Sequence, residues 1–138
     1  MTNDVFVDTT AWIALLDEAD FLHEQAGRVL ENLENEKRRL VTTEFILLEL
    51  GDGFAAVGKR EQALNFVEEL RELEILRIIP VSQDLLEKGW KFFTERPDKS
   101  WQVTDCISFV VMREENITVA FTADKHFEQA GFVRLLKS

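Results

Sequence analysis

The chain reads as an α/β domain with a mostly parallel sheet, and three observations predict it. Short apolar runs rich in β-branched and aromatic residues alternate with longer stretches whose apolar residues recur at helical spacing. No two strand-like runs are joined by a short hairpin turn, so helices carry the chain from one parallel strand to the next. Two of the runs, Val5-Phe6-Val7 and Thr118-Val119-Ala120-Phe121, lead into carboxylates, Asp8 and Asp124, and then into a helix. Open α/β sheets bind ligands at that carboxyl edge.

In chain order, after Asp8, the segment Thr10-Ala11-Trp12-Ile13-Ala14-Leu15-Leu16 is helical in composition and makes one short helix. A second helix is predicted over 21–36, where Phe21, Leu22, Ala26, Val29, Leu30 and Leu33 supply the apolar stripe. Its basic end, Lys37-Arg38-Arg39, has the favourable sign for a helix C-terminus. Leu40-Val41-Thr42 is the second strand. Thr42 or Thr43 can cap a helix running to about Val57 and closed by Gly58. A further helix over 59–73 precedes the strand 75–79, which Pro80 ends. Ser82 caps a helix over 83–95 that turns Leu85, Leu86, Gly89, Trp90 and Phe93 inward. Beyond the polar loop 96–101, Thr104 caps a helix over 105–115 that is apolar nearly all round and therefore buried on more than one side. The strand 118–121, a short helix after Asp124 and a strand over 132–135 complete the domain.

The 138 residues make one domain, 1–138, large enough for a real core, with 46% hydrophobic and 30% charged residues. No apolar run approaches the ~20 residues that cross a bilayer, and Met1-Thr2-Asn3-Asp4 lacks the basic and apolar regions of a signal peptide. The single cysteine, Cys106, forms no internal disulfide and suits a reducing cytoplasm. A net charge of -10 argues against a broad nucleic-acid surface. It fits a basic protein partner or a metal site whose carboxylates are counted as bare charge.

Most of the 26 acidic residues decorate helix surfaces, so the informative ones are those badly placed for that role. Glu49 interrupts the apolar run Phe45-Ile46-Leu47-Leu48-Glu49-Leu50 and has no Lys or Arg three or four residues away. A carboxylate buried there needs a distant cation, a shifted pKa or a metal. Glu44 lies about 140° around the helix from it and reads as a first-turn acid stabilising the dipole. Asp105 opens the apolar helix, and Asp8 and Asp124 end strands. Each alone could serve only as a helix-start acid. Together, four converging carboxylates without cations would repel, and a hard divalent ion, Mg²⁺ or Mn²⁺, resolves the conflict.

The ordered set Val5-Phe6-Val7-Asp8-Thr9-Thr10, Leu47-Leu48-Glu49-Leu50, Thr104-Asp105-Cys106-Ile107-Ser108-Phe109 and Phe121-Thr122-Ala123-Asp124-Lys125-His126-Phe127 resembles a PIN domain, most like the VapC-type toxins of toxin–antitoxin pairs. The resemblance spans essentially the whole chain. It implies a three-layer α/β/α sandwich around a mostly parallel, four- or five-stranded sheet. It also implies a metal-dependent ribonuclease with Asp8, Glu49, Asp105 and Asp124 holding one or two Mg²⁺ or Mn²⁺ ions, and Thr10 and Thr122 orienting a carboxylate or water. Asp8, on the more central strand, is the choice for a bridging ligand. Such toxins usually pair with a small antitoxin and often form homodimers. Their RNA substrate would need a local basic surface here, with Lys125, Lys99, Arg96 or Lys37–Arg39 as candidates.

Two rival readings remain at this stage. A phosphatase with Asp8 as nucleophile would want an acid two residues later, where Thr10 stands. A non-catalytic binding module of the same fold would keep the acids without the chemistry. Among other residues, His126 is open to a contact beside the acids, although a partly exposed helix position is the plainer reading. Cys106, Trp12 and Trp90 read as core, and Trp101, in a polar loop just before Asp105, keeps a functional alternative.

Overall fold

The computed structural model describes residues 2–137, so Met1 of the amino-terminal stretch lies outside it. Five strands, β1 (Val5–Val7), β2 (Leu40–Thr43), β3 (Leu76–Ile79), β4 (Val119–Phe121) and β5 (Val133–Arg134), form one sheet in the order β3-β2-β1-β4-β5. Every pairing is parallel. The helices are α1 (Thr9–Leu16), α2 (His23–Asn35), α3 (Glu44–Gly53), α4 (Arg60–Arg71), α5 (Gln83–Glu95), α6 (Val103–Glu114) and α7 (His126–Gln129).

The winding direction sets the layers. From β1 the chain steps outward to β2 and β3, then returns across β1 to β4 and continues to β5. Right-handed crossovers put helices on opposite faces when the direction of winding reverses. The packing agrees: α1 touches α2 and α3, α3 touches α4, while α5 lies along α6 and α6 touches α7. The result is a three-layer α/β/α sandwich. β1 is buried throughout, and the core around it contains Phe6, Trp12, Ile46, Leu50, Phe109, Met112, Phe121 and Phe127.

Three helix-to-strand connections use the same turn. After α2, α6 and α7, a residue with positive φ (Lys37, Asn116, Gly131) is followed by one whose N–H bonds back into the last helical turn. Those bonds run from Arg38 to Leu33, Ile117 to Met112 and Phe132 to Phe127. These are Schellman closures, which satisfy helix-end carbonyls and aim the chain back along the sheet.

Several boundaries differ from the sequence-based expectations. α3 stops at Gly53 rather than near Val57. Gly51 and Gly53 weaken its last turn, and the Phe54 N–H closes it on Gly51. Gly58, at φ +91°, serves the turn into α4 instead. Thr104 does not cap α6; Gln102 does, in a reciprocal capping box with Asp105. Trp90 is not core: it is 51% exposed and packs edge-to-face on Phe93, which is itself 36% exposed rather than turned inward. The inner stripe of α5 runs through Leu85 and Gly89, so Trp90 lies ~100° beyond it. Trp101, by contrast, is buried against Phe92 and Phe109, and its indole N–H donates to Gln129.

At Gly89, α5 approaches α6 closely. A Cβ there would lie 2.3 Å from Ile107 Cγ1 and 3.4 Å from Ile107 Cα. The missing side chain lets α5 hold α6, and hence Asp105 at its start, against the sheet.

Candidate metal centre

The reversal of winding falls between β1 and β4, and their carboxyl ends form the crevice where open α/β sheets hold ligands. Asp8 follows β1 there, and Thr122 and Asp124 follow β4. Glu49 reaches the same edge from α3 in one helical layer, and Asp105 from the first turn of α6 in the other.

Asp8 is almost fully buried. Its Oδ2 accepts the Thr122 hydroxyl at 2.8 Å and lies 3.2 Å from the Thr10 hydroxyl. The two hydroxyls are 3.1 Å apart. Each is fixed by the backbone, since Thr10 Oγ1 accepts from Ala123 N and Thr122 Oγ1 accepts from Asp124 N. A hydroxyl has one proton to give, so these amides orient both threonines toward Asp8. Burial pushes the Asp8 carboxyl up to about 7. The Thr122 hydroxyl and Thr9 backbone pull it down, and the charges of Asp105 and Asp124 add to the rise.

Glu49 is held by one threonine from each layer. Thr9 donates to Oε1 at 2.9 Å and Thr104 to Oε2 at 3.1 Å. Glu44, five residues earlier, points elsewhere and forms a two-pronged pair with Arg71, whose hydrogen bonds hold its carboxyl below the usual range.

Asp105 and Asp124 meet around His126. His126 Nδ1 lies 3.1 Å from Asp124 Oδ1 and 3.5 Å from Asp105 Oδ2. One ligand atom from each of the three residues falls within 4.8 Å of the others. Asp105 Oδ2 also accepts the Gln102 N–H at 3.1 Å, and Asp124 Oδ1 accepts the His126 N–H at 2.9 Å. Burial raises the Asp105 carboxyl to about 6, against the Gln102 N–H, and the charge of Asp124 adds to the rise. Asp8 and Glu49 border this tight group rather than sharing its 4.8 Å sphere.

Among the described residues, no lysine or arginine pairs with any of these four carboxylates, although exposed acids elsewhere do find such partners. Four carboxylates without a cationic partner, two of them (Asp8 and Asp105) with raised pKa values, and one imidazole form a donor set that fits a hard or borderline divalent cation. Asp8 is poorly disposed as an aspartyl nucleophile, because two hydroxyls occupy its Oδ2 and the chain around it is buried.

All six residues singled out in the sequence stand at this edge: Asp8, Glu49, Asp105 and Asp124, with Thr10 and Thr122 on Asp8. Three others were not assigned to it. Thr9 carries no role in the sequence reading and Thr104 reads there as a cap, yet both hold Glu49. His126 was read chiefly as a partly exposed helix residue, yet it sits between two acids. Its position two residues after Asp124 was the available signal. Of the basic candidates, Lys37–Arg39 precede β2 at the opposite edge of the sheet. Arg96 is held by Asp98 and lies over Trp101.

An all-parallel sheet wound in this order, with acids from both helical layers converging at its switch point, defines an acid-edged α/β domain whose side chains could hold a divalent cation. The PIN domain profile matches residues 5–133, and the chain belongs to that family. It is 29% identical over 133 residues to the 23S rRNA-specific endonuclease VapC20 of Mycobacterium tuberculosis, covering 95% of this chain and 97% of that protein. The crystal structure of VapC20, described as a sarcin-ricin loop cleaving toxin, superposes with a TM-score of 0.81 at 28% identity, over 94% of this chain and 96% of the other. VapBC2 from Rickettsia felis, bound to a promoter DNA fragment, gives 0.69 at 18% identity over 95% and 96% of the two chains. FitAcB from Neisseria gonorrhoeae gives 0.66 at 16% identity over 96% of each. These last two carry the fold alone.

Proposed function

We propose that this chain is a metal-dependent ribonuclease that hydrolyses RNA phosphodiester bonds, a toxin-type PIN nuclease restrained by a small antitoxin partner. The observation that carries the reading is the convergence of Asp8, Glu49, Asp105 and Asp124 at the switch point without a cationic side chain among them. The similarity to VapC20 along nearly the full length of both chains supports RNA as the substrate and a structured ribosomal hairpin as the first probe to try. The family resemblance adds homodimer formation and a cytoplasmic setting to the proposal. No helix among the described residues is long and apolar enough to cross a membrane.

Asp8, Glu49, Asp105 and Asp124 would hold one or two Mg²⁺ or Mn²⁺ ions. When bound, such ions lower the pKa of a coordinated water and stabilise the negative charge that builds on the phosphate and the leaving oxygen. The chain's own part is preparation. Thr122 and Thr10 fix the Asp8 carboxylate from the β4 side and the α1 side. Thr9 and Thr104 fix both oxygens of Glu49, so neither acid has to be ordered when substrate arrives. Ligation requires the carboxylates to be ionised, and near neutral pH burial leaves Asp8, at about 7, part-protonated while Asp105, at about 6, is largely ionised, so Asp8 would release a proton on holding a cation. No protein group need act as a nucleophile.

The test compares wild type with Asp8→Asn on a ribosomal RNA hairpin in Mn²⁺ and in EDTA. Cleavage by wild type only with metal, and none by a folded Asp8→Asn, is the expected result. Equal cleavage by the two proteins would remove the assignment.

A further inference from the structure

We propose that His126 Nδ1 is itself a metal ligand, completing a mixed nitrogen–oxygen position with Asp105 Oδ2 and Asp124 Oδ1 that prefers Mn²⁺ over Mg²⁺. The inference rests on the reading of the carboxylates as a divalent-cation site, and adds to it a donor of different chemistry.

Two observations carry it. His126 Nδ1 is buried and has no hydrogen-bond partner. The carboxylate oxygens at 3.1 and 3.5 Å are close enough to pair with it but are not aligned as acceptors. A buried ring nitrogen left in this way is costly, and a cation between the three atoms removes the cost.

The spacing suits the purpose. Ligands ~2.1 Å from a small octahedral cation are separated by ~3.0 Å when adjacent, and the observed separations of 3.1 and 3.5 Å are of that size. The ligand atoms are also held before any metal arrives. The Gln102 N–H holds Asp105 Oδ2 at 3.1 Å, and the His126 N–H holds Asp124 Oδ1 at 2.9 Å. That second bond ties the imidazole and its neighbouring carboxylate into one turn at the start of α7. Both oxygens keep a lone pair for a metal.

The chemistry follows from the donor type. Imidazole suits borderline metals, whereas Mg²⁺ favours oxygen and gives up its water reluctantly. His126 therefore separates ions that an all-carboxylate site would treat more alike.

The experiment is Mn²⁺ binding to the full chain, read by calorimetry and by pulsed electron paramagnetic resonance for a coupled ¹⁴N nucleus. Wild type should bind Mn²⁺ and show histidine nitrogen coupling. His126→Gln should lose the coupling and weaken Mn²⁺ by at least the ~10-fold that loss of even an outer-sphere partner costs, with Mg²⁺ affinity changed less. Bound Mn²⁺ without nitrogen coupling in wild type overturns the inference and leaves the carboxylate reading standing. No Mn²⁺ binding at millimolar metal overturns both. The wild-type spectrum decides the question even if His126→Gln folds poorly.

Discussion

Thr104 on α6 donates its hydroxyl to Glu49 Oε2 on α3 at 3.1 Å, joining the two helical layers across the carboxyl edge of the sheet. Thr9 holds the other oxygen at 2.9 Å. Glu49 is thus aimed by contacts that only the assembled sandwich supplies. Hydrogen bonds to charged groups are worth ~1.5–3 kcal/mol. Thr104→Val is therefore expected to lower kcat for RNA cleavage about 10- to 100-fold without unfolding the chain. Thr104→Ser, which keeps the hydroxyl, should retain most of the rate. Equal rates for Val and wild type would mean that Glu49 needs no such anchor.

The two glutamates of α3 separate structure from chemistry. Glu49→Gln is expected to abolish metal-dependent cleavage. Glu44→Gln should leave cleavage intact and change stability by less than about 1 kcal/mol, because its partner Arg71 is half-exposed and surface pairs contribute little. Parallel cleavage assays and thermal melts check both. A cleavage defect in Glu44→Gln matching that of Glu49→Gln would undo the distinction.

Metal-free stability should depend on pH in a direction opposite to ordinary acid denaturation. Asp8 rises from 3.8 to about 7 on folding, and Asp105 from 3.8 to about 6. Between those values the folded state binds more protons than the unfolded chain, so stability falls as pH rises. The contribution is fully present below pH 3.8 and lost as pH passes about 6 and then about 7. In EDTA, Tm should increase from pH 8 down toward pH 5. Saturating Mn²⁺ should flatten or reverse that slope, since ionised carboxylates are what bind it. A Tm in EDTA that falls over the same range would contradict the assignment.

For the same reason Asp8→Asn should be inactive and yet more stable. The shift of Asp8 corresponds to an ionised form disfavoured by on the order of 2–4 kcal/mol, and the amide relieves it. Denaturant melts at pH 8 without metal should show the variant ahead of wild type. A clear loss of stability would show that the Thr122 and Thr10 hydrogen bonds outweigh the cost of the buried charge.

Gly89→Ala tests the contact that seats α6. Alanine gains ~1 kcal/mol in helix propensity, but overpacking against Ile107 costs ~1–3 kcal/mol. A net loss of up to about 2 kcal/mol is expected, together with weaker metal binding as Asp105 shifts. A variant as stable as wild type would show that α5 and α6 separate freely.

The sequence carried much of this site because its signals are local. An acid at a strand end, as at Asp8, or inside an apolar helical run, as at Glu49, is anomalous within a few residues of itself. The alternation of strand and helix fixed the fold class in the same way. Trp90 was misplaced because helical periodicity gives a stripe but not its centre, and Gly89, lacking a side chain, faces Ile107 without adding to the apolar pattern. Thr104 was misread because a threonine before an acid at a helix start looks like a cap whether or not it reaches across the molecule.

What the sequence determined by itself was the inventory: one α/β domain, four carboxylates in family order, Glu49 among them without a local cation, and threonines beside them. The tertiary structure decided which side chains meet. Reversal of the winding at β1 brought helices from opposite faces to one edge, so Thr9 and Thr104 could share Glu49, and Asp105 and Asp124 could close on His126. Those contacts join residues as far as 55 positions apart, and Thr122 meets Asp8 across 114. Packing sets such distances, and no local pattern records them.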